Sequence, residues 1–377
     1  MESKAHRTGY RQVVPVGLAV LGSLVVLLLF SSWNRPLLYD EYVQFAVSGL
    51  PSTSDALAII SLTTTNLNQG ATGAYHLADF WLLQIFGAHT GALRAPGVAT
   101  GGLLFVYAGV FLWQRKVSLW SLPAIPLVFA TQELVLRYVG EARPYMPLAA
   151  ASVGVLAYYS FERKARASWW GRATGWSSVI IGVLFHPYFL VYWGAIAVFG
   201  WVVWKRQSPD WPLVKYVNTR LLLVGMSVYA VVGVLTWMRG KATAEVDPFN
   251  FLPGPVPIEI VAQNLYFLRS SPTVMAATIV LAGAPLVAAA MQRTPLRVLV
   301  GLSIPPVLLI LLSFLLALFI SLTTLVNDFW IFPRQWIAST ALTALGGIWL
   351  VAEWWKATSG DRRPRTSPVR RKILVIL

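Results

Sequence analysis

Long apolar stretches without a charged residue recur along this sequence and constrain its fold more than any other feature. They fall at about 13–31, 95–113, 117–132, 144–160, 173–185, 188–204, 221–238, 273–291, 298–326 and 336–352. About 20 apolar residues in a helix cross the hydrocarbon core of a bilayer, and these stretches are that long or nearly so. They lack the alternation that a membrane β-barrel requires. The sequence therefore predicts an all-α polytopic membrane protein of about ten transmembrane helices.

The composition agrees with a single transmembrane domain over 1–377. Apolar residues make up 56% of the chain and charged residues 12%, which is too little charge to cover a soluble domain. The 17 Trp and 14 Tyr fit two interfacial belts. Residues 13–30 lack a cleavage site for a signal peptidase, so we predict a retained first span. The absence of Cys excludes disulfides, thiolate catalysis and Cys-ligated metals.

The positive charges predict the orientation of the helices. With the N-terminus inside, most of the 30 Lys and Arg residues fall in cytoplasmic segments, including a basic tail at 356–377. Both termini are then cytoplasmic. The net charge of +15 is explained by membrane topology, and no nucleic acid partner is expected. An additional span at 75–87 would put most of these charges outside, so we reject it.

Two larger loops are predicted on the extracytoplasmic side. The first covers 32–93 and contains short apolar runs at 55–63 and 75–87, which we interpret as interfacial helices. The second covers 239–272 and is rich in Pro and Gly. The stretch 173–204 is long for one span, and His186-Pro187 at its middle predicts a turn between two helices.

Most of the 15 carboxylates fall on the predicted outer side, and no charged residue lies within a span. Transporters coupled to ions usually carry ionisable groups near the bilayer midplane. The pair Asp40-Glu41 lies about ten residues beyond the first span. A partly desolvated carboxylate there could accept a proton from a hydroxyl group, although two acids can also simply complement a helix dipole.

Three other polar positions lie at the outer ends of spans. Arg143 and Tyr145 belong to a Glu-Ala-Arg-Pro-Tyr run before the fourth span, His186 lies in the hairpin, and Arg334 precedes the last span. An arginine at these positions can bind a phosphate through paired hydrogen bonds or can anchor the chain among lipid headgroups. A single His in an apolar hairpin is often a hydrogen-bonded packing residue.

The order and common sidedness of these elements resemble the GT-C superfamily of membrane glycosyltransferases. The resemblance rests on the DE pair in the outer loop, the G-x(5–8)-R-x-P element in FGAHTGALRAPGVATG (86–101), the ARPY element, the His in the next hairpin, and the Arg before the last span. It is clearest over 13–200 and is most similar to protein mannosyltransferases and lipid A aminoarabinose transferases. Where relatives often read H-P-P-L, this chain has Tyr75-His76-Leu77-Ala78, which weakens the match of His76.

The resemblance implies an inverting glycosyltransferase that moves a sugar from a polyprenyl-phosphate donor to an acceptor hydroxyl on the extracytoplasmic face of a bacterial-type plasma membrane. Asp40 matches the catalytic acid, with Glu41 as its partner. Arg143, Tyr145, Arg334, His186 and His76 match positions that bind the substrate. No cofactor is implied, and whether a divalent metal ion joins Asp40 is left open.

Two other classes fit the size and the basic loops: a lipid or sugar transporter or flippase, and a non-enzymatic subunit of a glycan export system. Inverted repeats or charges within the spans would favour a transporter, and neither is found. The sequence leaves open which sugar is transferred and whether the acceptor is a glycan, a lipid or a protein of the cell envelope.

Overall fold

The computed structural model describes residues 2–30, 36–37, 39–55, 73–186, 188–204, 218, 220–227, 230, 296–322 and 336–358. Within these ranges the chain forms helices joined by turns, and no strand occurs among them. The longer helices are α1 (Glu2–Phe30), α2 (Tyr39–Ser48), α3 (Gly73–Phe86), α4 (Thr90–Gln114), α5 (Ala124–Ala130), α6 (Glu133–Val139), α7 (Tyr145–Ser160), α8 (Arg163–Ala167), α9 (Trp169–Phe185), α10 (Phe189–Trp204), α11 (Leu296–Leu322) and α12 (Ile337–Thr358). The predicted all-α class is confirmed.

Helix α7 lies at the centre of the described part of the molecule. Every one of its 16 residues is buried, and α4, α9, α10 and α12 pack against it. Its small residues permit this crowding: a Cβ on Gly154 would lie 2.8 Å from the ring of Tyr107 on α4. Small residues let neighbouring helices approach closely where no hydrophobic force between helices is available, as in a bilayer.

The C-terminal end of α7 is closed by two arginines from other segments. Arg166 donates from Nε to the carbonyl of Phe161 (3.0 Å) and from Nη2 to that of Tyr159 (2.6 Å). Arg115, at the end of α4, donates to the carbonyl of Ser160. These carbonyls have no partner within the helix, and cations also complement the negative end of the helix dipole. Both arginines belong to the predicted cytoplasmic loops.

Within the part of the chain that the structure describes, three helices are long and apolar enough to cross a membrane, namely Thr90–Gln114, Val300–Leu322 and Ile337–Trp355. Val14–Phe30 and Phe189–Trp204 are shorter apolar helices. Large apolar side chains such as Leu28 (68% exposed) and Leu315 (58% exposed) project outward from α1 and α11. Because water would disfavour so much exposed apolar surface, the bilayer is the solvent for these faces.

The described helices match several of the predicted spans. The predicted turn at His186 is confirmed, since α9 ends at Phe185 and α10 begins at Phe189. The predicted span at 117–132 contains the 3₁₀-helix Leu119–Ser121 and α5, and at its end Leu119–Ala130 meets Glu133–Val139 at an angle of 82°. The run at 75–87 forms the 14-residue helix α3, and α3 is not among the helices long enough to span.

Other parts of the predicted topology lie outside the described residues. The span at 273–291 and the outer loop at 239–272 belong to this part, as do most of 221–238 and of the apolar run 55–63. The count of ten spans therefore stays a prediction.

Candidate active site

Five segments meet beyond the N-terminal end of α7 and form the candidate site. They are α2, α3, the first turns of α4, the turn at 140–144 that precedes α7, and the junction of α9 and α10. The turn carries Arg143 and leads through Pro144 directly into α7. A proline at this place costs the helix no hydrogen bond, since the first N–H groups of a helix have no partner within it.

A buried ion pair joins three of these segments. The guanidinium of Arg94 donates to both carboxylate oxygens of Glu41, at 2.9 Å from Nε and 2.7 Å from Nη2, and both side chains are 1% exposed. The backbone N–H of Ala142 also donates to Glu41, at 2.9 Å. Three hydrogen bonds compensate the desolvation of the carboxylate. Glu41 therefore ties α2 to α4 and to the residue that precedes Arg143.

The R-x-P element of the sequence has a structural explanation here. His89 caps α4 by accepting the N–H of Ala92 at 3.2 Å, and Arg94 follows one turn later. Gly97 then permits a close approach, because a Cβ at this position would lie 2.9 Å from the carbonyl oxygen of Glu141. The segment 94–97 thus contributes Arg94 to the ion pair and contacts the turn before Arg143 at Gly97.

The buried face of α2 is polar along its whole length. Beyond Glu41, Gln44 donates from Nε2 to Oδ2 of Asp79 on α3, and Ser48 donates to the carbonyl of His76 at 3.3 Å. Asp40 lies in the first turn of this helix, and its side chain lies outside the described part of the structure. The backbone of Asp40 is therefore held in place by contacts that its neighbours make one and two turns later.

Asp79 is the most unusual carboxyl group of the site. Its side chain is fully buried, and burial raises its pKa well above the ordinary range, although the hydrogen bond from Gln44 opposes this shift. Its second oxygen, Oδ1, has no hydrogen-bond partner among the described residues. Burial consequently favours the neutral carboxylic acid form of this side chain. In the sequence, Asp79 is one of the carboxylates of the predicted outer loop at 32–93.

Tyr75 and His76 lie one turn before Asp79 on α3. The Tyr75 ring meets Phe185 edge to face at 5.6 Å, and its hydroxyl has no partner within the described residues. Burial raises the pKa of Tyr75. Burial and the nearby charge of Arg143 lower the pKa of His76 to about 3, so its imidazole is neutral.

Arg143 is 4% exposed, and its backbone N–H donates to the carbonyl of Glu141 at 2.9 Å. Its charge acts on Tyr75, His76 and Glu141, which places the guanidinium among the side chains of α3 and the turn. Burial raises the pKa of Glu141, whose carboxylate accepts from Arg137 at 3.0 Å. A buried cation beside neutral polar groups is suited to binding an anion.

His186 completes the site from the junction of α9 and α10. Its ring packs against Tyr145 at 5.6 Å, and its Nδ1 accepts the N–H of Tyr188 at 3.2 Å. Burial lowers the pKa of His186 to about 3. A neutral imidazole whose Nδ1 accepts must carry its proton on Nε2. This N–H has no acceptor among the described residues.

The structure thus brings together most of the residues that the sequence singled out: Glu41, His76, Arg143, Tyr145 and His186. Arg334 and the side chain of Asp40 lie outside the described residues. Sequence reasoning missed Arg94, Tyr75, Asp79 and Gln44. Arg94 stood within the quoted R-x-P element, and Asp79 follows Tyr75 by four residues, which puts both on one helix face. Among the described residues, no group of three His, Asp or Glu could hold a metal ion.

No family model matches this sequence, and no curated protein matches it. Two solved structures of ArnT from Cupriavidus metallidurans share its fold. The apo structure has a TM-score of 0.55 at 16% identity and covers 98% of this chain. The structure with bound undecaprenyl phosphate has a TM-score of 0.55 at 17% identity and covers 96%. The chain spans 63% of the length of either ArnT chain.

Identities this low show a common fold. ArnT is a lipid A aminoarabinose transferase of the GT-C type, so the GT-C resemblance of the sequence is confirmed at the level of the fold.

Proposed function

Starting from the GT-C fold that this chain shares with ArnT, we propose that it is an inverting glycosyltransferase that takes its sugar from a polyprenyl-phosphate donor. The observation that carries the proposal is the position of Arg143. It is a buried guanidinium at the beginning of the central helix, held beside neutral polar groups of α3 by a turn that is itself fixed by the Glu41–Arg94 pair. The solved ArnT complex supports the donor class, since it contains undecaprenyl phosphate.

Arg143 would hold the donor phosphate. A guanidinium can form two parallel hydrogen bonds to a phosphate, and the N-terminal end of α7 adds the positive end of a helix dipole. As the bond between the anomeric carbon and the phosphate oxygen breaks, negative charge grows on the phosphate. A cation fixed in place before the reaction stabilises this charge in the transition state. Arg334 would assist at the same phosphate, and Tyr145 would support it through its contact with His186.

Asp40 would act as the general base. It would take the proton from the acceptor hydroxyl while that oxygen attacks the anomeric carbon from the face opposite the phosphate, which inverts the configuration. The phosphate would leave with the electron pair of the broken bond. The anchoring of α2 supports this role, because Glu41, Gln44 and Ser48 fix the helix on which Asp40 lies. Glu41 would orient the base, and His76 would contribute a neutral polar side chain beside Arg143.

The predicted topology puts this reaction on the extracytoplasmic face. Sugar nucleotides are confined to the cytoplasm, whereas a lipid-linked sugar presents its phosphate at the membrane surface. The reaction as written needs no cofactor. Its partners are the lipid donor, an acceptor with a free hydroxyl and the surrounding bilayer.

The test is a transfer assay with the purified chain in nanodiscs. Radiolabelled sugars linked to undecaprenyl phosphate are supplied with extracted cell-envelope glycans, lipids and proteins as acceptors. The parent should transfer label with inversion, and Asp40→Asn should transfer about 10²–10⁴-fold more slowly while it still inserts and still binds the donor. Turnover near that of the parent in Asp40→Asn would falsify the assignment of the base. Movement of intact lipid across the bilayer without any transfer would instead indicate a flippase.

A further inference from the structure

Three hydrogen-bond donors of the site have no acceptor among the described residues, although each is almost completely buried. They are the hydroxyl of Tyr75, the carboxyl oxygen Oδ1 of Asp79 and the Nε2 of His186. The exposed fractions of the three side chains are 0%, 0% and 1%. Buried polar groups in folded proteins are nearly always hydrogen-bonded, so three exceptions in one site require an explanation.

The hydrogen bonds that the three groups do make determine which of them donates. The second oxygen of Asp79 accepts from Gln44. A neutral carboxylic acid whose Oδ2 accepts carries its proton on Oδ1. Nδ1 of His186 accepts from the backbone of Tyr188, so its proton is on Nε2. A tyrosine hydroxyl can donate as well. The three groups therefore present neutral donors, which match the oxygen atoms of a ligand.

The three donors lie on α3 and at the junction of α9 and α10, and both of these elements border the candidate site that contains Arg143. Tyr75 and Asp79 lie one helical turn apart on α3, and the ring of Tyr75 contacts Phe185, the residue before His186. The charge of Arg143 acts on Tyr75, and the ring of His186 packs on Tyr145, two residues beyond Arg143. A sugar is bonded directly to the phosphate that Arg143 would hold, so its hydroxyl groups must lie close to that guanidinium.

We propose that Tyr75, Asp79 and His186 form the subsite for the sugar of the lipid-linked donor, and that this subsite selects a neutral, hydroxyl-bearing sugar over an amino sugar. The assignment rests on the transferase function proposed above. Hydroxyl and ring oxygens of a neutral sugar accept hydrogen bonds from all three groups. An ammonium group only donates, and it would meet three donors and the positive charge of Arg143. Because protein covers all three groups, an entering sugar must displace the side chains that cover them.

The experiment measures dissociation constants with the full chain in nanodiscs. The probes are undecaprenyl phosphate alone, undecaprenyl phosphate linked to glucose, mannose or galactose, and undecaprenyl phosphate linked to 4-amino-4-deoxyarabinose. We expect at least one neutral sugar to improve binding roughly tenfold or more over the bare lipid, as one or two added hydrogen bonds would. We expect the amino sugar to give no such gain. Tighter binding of the amino sugar than of every neutral sugar would overturn the proposal.

Variants of Tyr75 and Asp79 show which of the donors bind the sugar. Tyr75→Phe and Asp79→Leu should each lose roughly tenfold of the affinity for the preferred sugar-linked lipid and should bind the bare lipid like the parent. Asp79→Asn keeps one donor and one acceptor, so it should restore the discrimination. Equal weakening of both lipids would mean that these residues serve only folding, and unchanged discrimination would place the sugar elsewhere. Either result overturns the subsite.

A matched control removes a different tyrosine hydroxyl. Tyr107 donates to or accepts from Ser177 at 2.7 Å and lies about 20 Å along α4 from Arg94. Tyr107→Phe should leave the ratio of the two dissociation constants unchanged. The two proposals fail differently: a parent that neither binds undecaprenyl phosphate nor transfers any sugar contradicts the function, whereas a parent that transfers sugar with unchanged discrimination in the variants contradicts only the subsite.

Discussion

The two ends of helix α7 differ in how nearby arginines contact them. Arg115 and Arg166 cap its C-terminal end, whereas its N-terminal end begins directly after Arg143 and Pro144. At the first end the guanidinium groups donate to backbone carbonyls of the protein itself. At the second end, the charge of the buried guanidinium of Arg143 acts on Tyr75, and buried polar atoms of Tyr75 and Asp79 have no hydrogen-bond partner among the described residues. Arginines thus cap the helix at one end, whereas at the other end an arginine acts on side chains of the candidate site.

The difference follows from what the backbone supplies. A helix C-terminus exposes carbonyl oxygens, which satisfy an arginine without any ligand. A helix N-terminus exposes N–H groups, which cannot accept from an arginine and instead attract an anion together with it. The charge of the residue is the same, but only the C-terminal end of the helix offers it backbone acceptors. The predictions below test this comparison.

The largest expected effect is the difference in reporter signal between the two ends of α7, which we expect on opposite sides of the membrane. Reporter fusions after residues 65 and 140 should both read extracytoplasmic, and a fusion after residue 168 should read cytoplasmic, because α7 carries its two ends to opposite faces. A fusion after residue 115 serves as the control for the bent segment 119–139 and should read cytoplasmic. If the fusions after 140 and 168 report the same side, the two ends of α7 do not face different compartments.

The next effect concerns the ion pair that supports the site end. Arg94→Leu leaves the buried carboxylate of Glu41 without its cation and should destabilise the protein by about 3–5 kcal/mol. Thermal unfolding in detergent measures this loss. The matched control is Arg94→Met combined with Glu41→Leu, which removes both charges and should recover most of the stability. A single variant as stable as the parent would show that the pair does not hold the site together.

A third experiment compares an arginine from each end. Arg143→Ala should lower the transfer rate about 10²–10³-fold with little effect on unfolding, because its guanidinium serves the transition state. Arg166→Ala should do the reverse: it leaves two buried carbonyls unsatisfied, which costs about 1–3 kcal/mol of stability, and it should retain most activity.

Lysine separates two roles at Arg143. Arg143→Lys keeps the charge but loses the planar pair of donors, so transfer should already be impaired. A headgroup anchor would tolerate lysine. If Arg143→Lys and Arg143→Ala both transfer sugar like the parent, the phosphate site must be sought around Arg334.

The smallest effect concerns the glycine that lets α4 approach the turn at 140–144. Gly97→Ala brings a methyl group to 2.9 Å from the carbonyl of Glu141 and should cost about 1–3 kcal/mol through overpacking. A Cβ added to Gly109 on the same helix would meet nothing within 4 Å among the described residues, so Gly109→Ala should be neutral or slightly stabilising. Equal effects of the two substitutions would mean that the close contact at Gly97 does not position the turn.

The sequence predicted the helices well wherever local properties decide the outcome. Uninterrupted apolar runs indicated α4, α7, α11 and α12, and His186-Pro187 indicated the turn between α9 and α10. It was less successful at 117–132, where apolar composition alone could not reveal a bend of 82°. Both α5 and α6 pack against α1, α4 and α12, and hydropathy does not record such contacts.

The pairing of side chains shows the same difference between what the sequence predicts and what only the tertiary structure decides. The sequence identified Glu41, Arg143, Tyr145 and His186 as polar residues on one side of the membrane, and it quoted the element that contains Arg94. That Glu41 pairs with Arg94, 53 residues away, was decided by the tertiary structure. So were the pairing of Gln44 with Asp79 and the burial of this outer-loop acid, and the burial raises the pKa of Asp79.

The physical reason is that hydropathy, helix ends and charge asymmetry depend on residues within one or two helical turns, so a single sequence contains them in full. Burial, the pairing of Glu41 with Arg94 and the pKa of Asp79 depend on atoms contributed by helices far apart in the chain. The sequence by itself predicted a bundle of apolar helices with the polar residues of the candidate site on one side of the membrane. The tertiary structure decided which of those residues stabilise the site and which remain available to a ligand.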